Sequence, residues 1–115
     1  MARYSHIEDI SPSPKFGNSG PQGWGFTLWS ELIDDEAPHR NLLEIFASRY
    51  PEARIGLPAY DRYEDFVECE AVWASGKVWV YYETILSHLW LWSPDRETIA
   101  SFRSALLSLM PDRQQ

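Results

Sequence analysis

Between Asp65 and Ser93 the chain reads DFVECEAVWASGKVWVYYETILSHLWLWS, with apolar and polar residues alternating through most of it. A period of two is the mark of strands whose two faces differ. The same stretch carries four of the six tryptophans. A fold built on it must pair these strands and cover at least one of their faces. The remaining segments are therefore read as cover or connection.

Ser75-Gly76 separates the first two alternating runs, which is a hairpin signal. With those two residues as the loop, Ala74 faces Lys77, Trp73 faces Val78, Ala71 faces Val80 and Cys69 faces Tyr82. Trp73, Val78, Ala71, Val80, Cys69 and Tyr82, together with Val67, make an apolar face. The reverse face carries Glu68, Glu70, Val72, Trp79, Tyr81 and Glu83, and this register sets Glu83 opposite Glu68. A second turn near Thr84 to Ser87 returns the chain into HLWLWS. There Leu89 and Leu91 look one way and His88, Trp90 and Trp92 the other.

Either side of this stretch, the pattern changes to a helical period. Leu42, Leu43, Phe46 and Tyr50 form an i, i+1, i+4, i+8 stripe, with Arg40, Glu44 and Ser48 outward and Pro51 as a stop. Asp34-Asp35-Glu36 and Pro38 suit the start of that helix. Ile99, Phe102, Leu106 and Leu109 form the second stripe. Ser93 is read as its cap, Pro94 as its first residue, Asp95 and Glu97 as its first turn, and Pro111 as its end. Trp24 to Ile33 reads as a strand with Phe26, Leu28 and Leu32 on one face and Thr27, Trp29 and Glu31 on the other, although its later half, LWSELI, fits a helical turn equally well. Ala53 to Ala59 reads as a short edge strand because of Pro58. Residues 1–23 hold three prolines and three glycines and read as a loosely ordered arm. Tyr4, Ile7, Ile10 or Phe16 are its docking candidates, residues 24–110 form one domain, and 111–115 are a tail. The expected class is α+β, an antiparallel sheet of about four to five strands with two helices packed on one face.

Composition narrows the function. The 115 residues carry a net charge of −7, from 17 acids against 10 bases. That balance argues against a nucleic-acid binder, which needs a basic footprint, and it would steer a basic partner inward where acids cluster. No apolar run approaches the ~20 residues of a membrane span. The first ten residues lack the layout of a signal peptide. A single cysteine, Cys69, allows no internal disulfide and fits a reducing, cytoplasmic setting.

The search for chemistry yields little. His6, His39 and His88 are not spaced for a metal, and no cofactor motif is present, so no cofactor is expected. Cys69 lies mid-strand on the apolar face, where a thiol is inert. Glu68 and Glu70 point the same way, roughly 7 Å apart at ~3.3 Å per residue. Such a pair could serve glycoside hydrolysis, which also needs a sugar-sized cleft. The plain alternative is a solvated sheet face. Two features sit badly with it. Like charges across a strand pair oppose pairing. Each aromatic side chain can also bury ~150–250 Å², worth about 25 cal/mol per Å². The aromatics of this face therefore need cover, from the N-terminal arm or from a partner. Aromatic residues ringed by acids suit a hot spot for a basic protein.

The run VWVYYETILSHLWLWSPDRETIASFRSALL, a strand, turn, strand, Ser-Pro-Asp cap and amphipathic helix, resembles the C-terminal half of small bacterial immunity proteins. The resemblance spans roughly Asp65 to Leu109 and rests on size, acidity and element order. It implies a cytosolic, non-enzymatic inhibitor that blocks one cognate toxin, often over its active site. The face pattern itself nominates Glu68, Glu70, Trp79, Tyr81 and Glu83 as partner-binding residues, with Trp90 and Trp92 extending the surface. Acids there would stand in for an anionic substrate in the toxin's basic cleft. A sugar- or ligand-acting domain and a self-pairing subunit are the other readings.

Overall fold

The computed structural model describes residues 4–15, 20–30, 37–60, 65–85 and 87–110. Six strands and two helices follow in the order β1 (Tyr4–Ile7), β2 (Ser11–Pro14), β3 (Gln22–Ser30), α1 (Ala37–Arg49), β4 (Phe66–Trp73), β5 (Gly76–Glu83), β6 (His88–Ser93) and α2 (Arg96–Leu107). They form one antiparallel sheet in the order β1-β3-β6-β5-β4, with β2 beside β1 along the same side of β3. The architecture is α+β, as the alternation requires, with one strand more than the upper count expected.

Parity decides which face is core. Val67 and Ala71 of β4, Val78, Val80 and Tyr82 of β5, Leu89 and Leu91 of β6, and Phe26 and Leu28 of β3 all point to one side and are buried. Leu42, Leu43 and Phe46 of α1 and Ile99, Phe102 and Leu106 of α2 close over them, each fully buried. Burying one such side chain stabilises the fold by about 1.5–3 kcal/mol. At one end Trp73 completes an aromatic knot, with ring centroids 5.4 Å from Phe46, 5.4 Å from Tyr50 and 5.7 Å from Phe102.

The hairpin joining β4 and β5 differs from its sequence reading by one loop position. Trp73 pairs with Gly76, Ala71 with Val78, Cys69 with Val80 and Val67 with Tyr82. The loop is Ala74-Ser75, and both residues have positive φ, 50° and 66°. Two left-handed central residues give the turn whose twist matches the strands. Gly76 is spent elsewhere: a Cβ there would lie 2.5 Å from Thr98 Oγ1. Thr98 cannot yield easily, because its hydroxyl and backbone N–H both donate to Asp95, at 2.7 and 2.9 Å. The glycine therefore serves the close approach of α2 rather than the turn. Moving the loop by one shifts the pairing by two, so every side chain keeps its face.

Three local expectations are corrected. Asp95, not Ser93, is the N-cap of α2; Ser93 Oγ instead accepts the Asp95 N–H at 3.2 Å. Arg40 is not outward: it is 8% exposed and donates from Nη1 to the Pro58 carbonyl at 3.0 Å. Ala53 to Ala59 is no strand. A 3-10 turn, Pro51–Ala53, precedes irregular chain, and Gly56 N–H donates to Glu70 O at 2.9 Å. Asp34-Asp35-Glu36, Leu32, Phe16 and the tail 111–115 lie outside the described residues.

The N-terminal arm also departs from its reading as loosely ordered chain. Two of its three prolines, Pro12 and Pro14, fall in β2, on the outer side of the sheet, where a missing N–H is tolerated. Arg103 of α2 grips the link between β1 and β2, donating from Nε and Nη2 to the Glu8 carbonyl at 3.1 and 2.9 Å. Glu8 N–H in turn donates to Thr27 O at 2.9 Å.

The turn geometry is tested by two variants. Gly76→Ala should lower stability in urea denaturation by about 1–3 kcal/mol, the usual range for overpacking. Ser75→Gly, which relieves a left-handed residue, should leave stability unchanged or raised. A tolerated Gly76→Ala would remove the contact with Thr98 as the reason for this glycine.

Candidate protein-binding face

Among the described residues, no helix packs on the second sheet face. Its side chains come from the alternate positions: Phe66, Glu68, Glu70 and Val72 of β4, Lys77, Trp79, Tyr81 and Glu83 of β5, His88, Trp90 and Trp92 of β6, and Thr27 and Trp29 of β3. Rings meet across it in a continuous row. Phe66 lies 5.7 Å from Tyr81, and Tyr81 stacks on Trp79 at 5.6 Å with 12° between planes. Trp79 meets Trp90 edge-on at 4.9 Å, and His88 sits between Tyr81 at 5.9 Å and Trp29 at 4.9 Å. Offset and edge contacts of this kind each add about 0.5–1.5 kcal/mol beyond burial.

The seven residues nominated from the sequence do lie on this one face, but they divide into two groups. Trp79 and Trp92 are each only 5% exposed. Their cover comes from the arm, which answers the question that the surplus of aromatics posed. Trp92 Nε1 donates to Ser13 O of β2 at 2.9 Å, and its ring rests against Gly23, where a Cβ would come within 2.4 Å of it. Lys15 Nζ stands 5.5 Å above the Trp79 ring. Trp90 is half-buried beside Gly25, with its Nε1 3.0 Å from where a Cβ would be. These three tryptophans belong to the fold's second, smaller apolar layer. Glu68, Glu70, Tyr81 and Glu83 lie toward the β4 side, away from β2. Glu68 and Glu70 are exposed, and Tyr81 and Glu83 half-buried.

The register removes the proposed clash of like charges. Glu83 stands opposite Phe66 on β4 and His88 on β6, while Glu68 is opposite Tyr81 and Glu70 opposite Trp79. Glu68 is also a partner in the layer, since its Oε2 accepts the Trp79 indole N–H at 2.7 Å. A carboxylate engaged in this way gives no support to a catalytic pair with Glu70. Among the described residues, no group of three or more His, Cys, Asp or Glu side chains is disposed to hold a metal. Burial pushes the Cys69 thiol up to about 11, so it stays protonated at neutral pH. Burial, then Glu83 and Glu68, raises the Tyr81 phenol above its ordinary value.

Sequence reasoning missed Phe66. It is 54% exposed and has the same strand parity as Glu68, so counting back one more pair would have found it. It also missed a buried polar relay on the other side of the sheet. His39 Nε2 lies 3.1 Å from Ser87 Oγ and His39 Nδ1 lies 3.0 Å from Tyr4 Oη. No sequence spacing links residues so far apart. A serine beside a histidine invites a nucleophilic reading. Yet His39 and Ser87 are both fully buried, so the trio acts as a tether between β1, α1 and the β5–β6 turn.

His88 gives the face a pH dependence. Burial lowers its pKa below the ordinary 6.5, against smaller opposing effects of Glu83 and Glu8. A depressed folded value means that the unfolded chain binds more protons in the window just below 6.5. The stabilisation is therefore complete above that window and is lost as pH falls through it. Urea midpoints should decline as pH drops below 6.5, and His88→Gln should flatten that part of the profile. An NMR titration placing His88 above 6.5 would contradict the assignment.

Comparisons with protein-family models, with curated proteins and with solved structures give no match, so the reading of this face rests on its own geometry.

Proposed function

We infer that this protein is a non-enzymatic binding module that docks a basic partner protein on the β4–β5 half of its open sheet face. The observation that carries this reading is the division of the face. The arm covers Trp79 and Trp92, whereas Phe66, Glu68 and Glu70 are exposed and Tyr81 and Glu83 are partly so. An aromatic anchor with a rim of acids fits a partner that offers Lys or Arg around an apolar pocket. The net charge of −7 would speed encounter with such a surface. This is what an immunity protein needs in order to mask the substrate cleft of a cognate toxin, and the resemblance from Asp65 to Leu109 supports that assignment. A cytoplasmic site of action goes with it; no helix among the described residues is long and apolar enough to cross a membrane.

The test starts with the partner that co-purifies from the native source. It is isolated and titrated against wild-type protein and the Glu68→Lys, Glu70→Lys, Glu83→Lys triple variant. Affinity should fall at least about 30-fold, given that one close interfacial charge pair is worth roughly 1.5–7 kcal/mol. Unchanged affinity for a variant that still folds removes this face as the interface.

A further inference from the structure

The two edges of the sheet are built differently. At the β1/β2 edge the chain carries Pro12 and Pro14 and breaks register between Tyr4 and His6. Prolines and irregularities are standard guards against added strands. At the opposite edge β4 runs for eight residues, Phe66–Trp73, without a proline.

The direction of its backbone groups follows from the ladder. Thr84 N–H donates to Asp65 O at 3.0 Å, so odd-numbered residues of this stretch bond to β5. Even-numbered residues point their N–H and C=O outward. Glu70 confirms it, because its carbonyl takes the Gly56 N–H at 2.9 Å. After Gly56 the chain leaves the edge for α1, where the Pro58 carbonyl accepts from Arg40. Among the described residues, the outward N–H and C=O of Phe66 and Glu68 have no backbone partner. The side chains of the same two residues lie on the open face and are exposed.

We propose that the partner adds a strand to this edge: an extended basic segment pairs antiparallel or parallel with Phe66–Glu68, and its alternate side chains reach the open face. This rests on the docking reading above and specifies how the partner binds. Main-chain hydrogen bonds supply affinity in such additions, and alternate side chains supply specificity. Here the neighbours of the added strand are Phe66 and Glu68, and Gly56 closes the edge at Glu70. An apolar or aromatic residue fits beside Phe66, and lysine or arginine beside Glu68. The same acid discriminates against a second copy of this chain. Antiparallel pairing of two β4 strands about Glu68 would set that carboxylate against its own copy and Phe66 against Glu70.

The probe is a synthetic eight-residue peptide whose face-directed alternate positions carry Tyr, Lys and Arg, with Ser or Thr between them, observed by NMR on the full chain. Saturating peptide should slow amide exchange at Phe66 and Glu68 about tenfold or more. The acidic counterpart, with Glu replacing each base, should not. A peptide N-methylated at its edge-facing amides should lose binding, which tests the main-chain contribution without altering the protein. Glu68→Pro, which removes an outward N–H and leaves the β5 ladder bonded, should abolish protection; Glu68→Lys should weaken the basic peptide and is the fallback if the proline variant does not fold. Binding that shifts Tyr81 and Glu83 while leaving the Phe66 and Glu68 amides unprotected overturns strand addition and leaves face docking standing. Binding of neither peptide also overturns it, while loss of the native partner on charge reversal remains the separate test of docking. Concentration-dependent pairing of the protein with itself through β4 overturns the choice of occupant.

Discussion

Everything in this fold depends on the position of β6. It is the one strand paired on one side by β3 and on the other by β5, and it joins segments more than fifty residues apart in the chain. Its side chains serve two layers at once. Leu89 and Leu91 point into the core under the helices, while Trp90 and Trp92 point into the aromatic layer. A strand with apolar residues on both sides is stable only if both are covered, which no strictly two-layer α+β fold provides. The arm resolves this. It lays β2 along β3 and presents Ser13 O to the Trp92 indole, so a second thin layer forms without a third helix.

The indole N–H groups show how that layer is made specific. Trp29 donates to Glu8 Oε2 at 3.3 Å, Trp79 to Glu68 Oε2 at 2.7 Å, Trp92 to Ser13 O at 2.9 Å, and on the core side Trp73 to Ser101 Oγ at 3.0 Å. Buried or half-buried indoles demand acceptors, and each acceptor here lies on a different segment from its donor. The tryptophans therefore do more than fill space: they fix which segment lies where. The two acids that take part, Glu8 and Glu68, are thereby structural as well as charged, so the charge of the open face is partly committed to holding it together.

How much of this was legible in the sequence follows from what each element depends on. Face assignment from Val67 to Trp92 was readable because parity survives a two-residue slip in pairing. The hairpin register was not, because Gly76 signals a turn by composition while its true constraint, contact with Thr98, is long-range. Helix α2 announced itself through its stripe, but its cap moved to Asp95 because the Thr98 N–H and hydroxyl both find that carboxylate. The arm was misread for a related reason. Proline density predicts the absence of a central strand, and β2 is an edge strand. Its order comes from Arg103, ninety-five residues away from Glu8, which no local pattern reveals. Arg40 reads as surface by helical spacing and is buried because Pro58 returns over it. Of the candidate site, the residue types and their shared face were visible; which of them are covered by the arm was not.

The charge pattern gains a physical sense from the two unequal edges. A chain of this acidity resists self-association wherever its acids are exposed, yet the guards are not spread evenly. The β1/β2 edge is blocked by backbone chemistry, through prolines that no partner can overcome. The β4 edge is closed by Gly56 at Glu70, but from Phe66 to Glu68 it is guarded by charge alone, and charge is a guard that a basic partner removes on contact. Backbone guards exclude every strand; charge guards exclude only like-charged ones. An edge protected in this selective way, beside an exposed Phe66 and a half-exposed Tyr81, distinguishes the right strand from the wrong one. The opposite edge has no means of making that distinction.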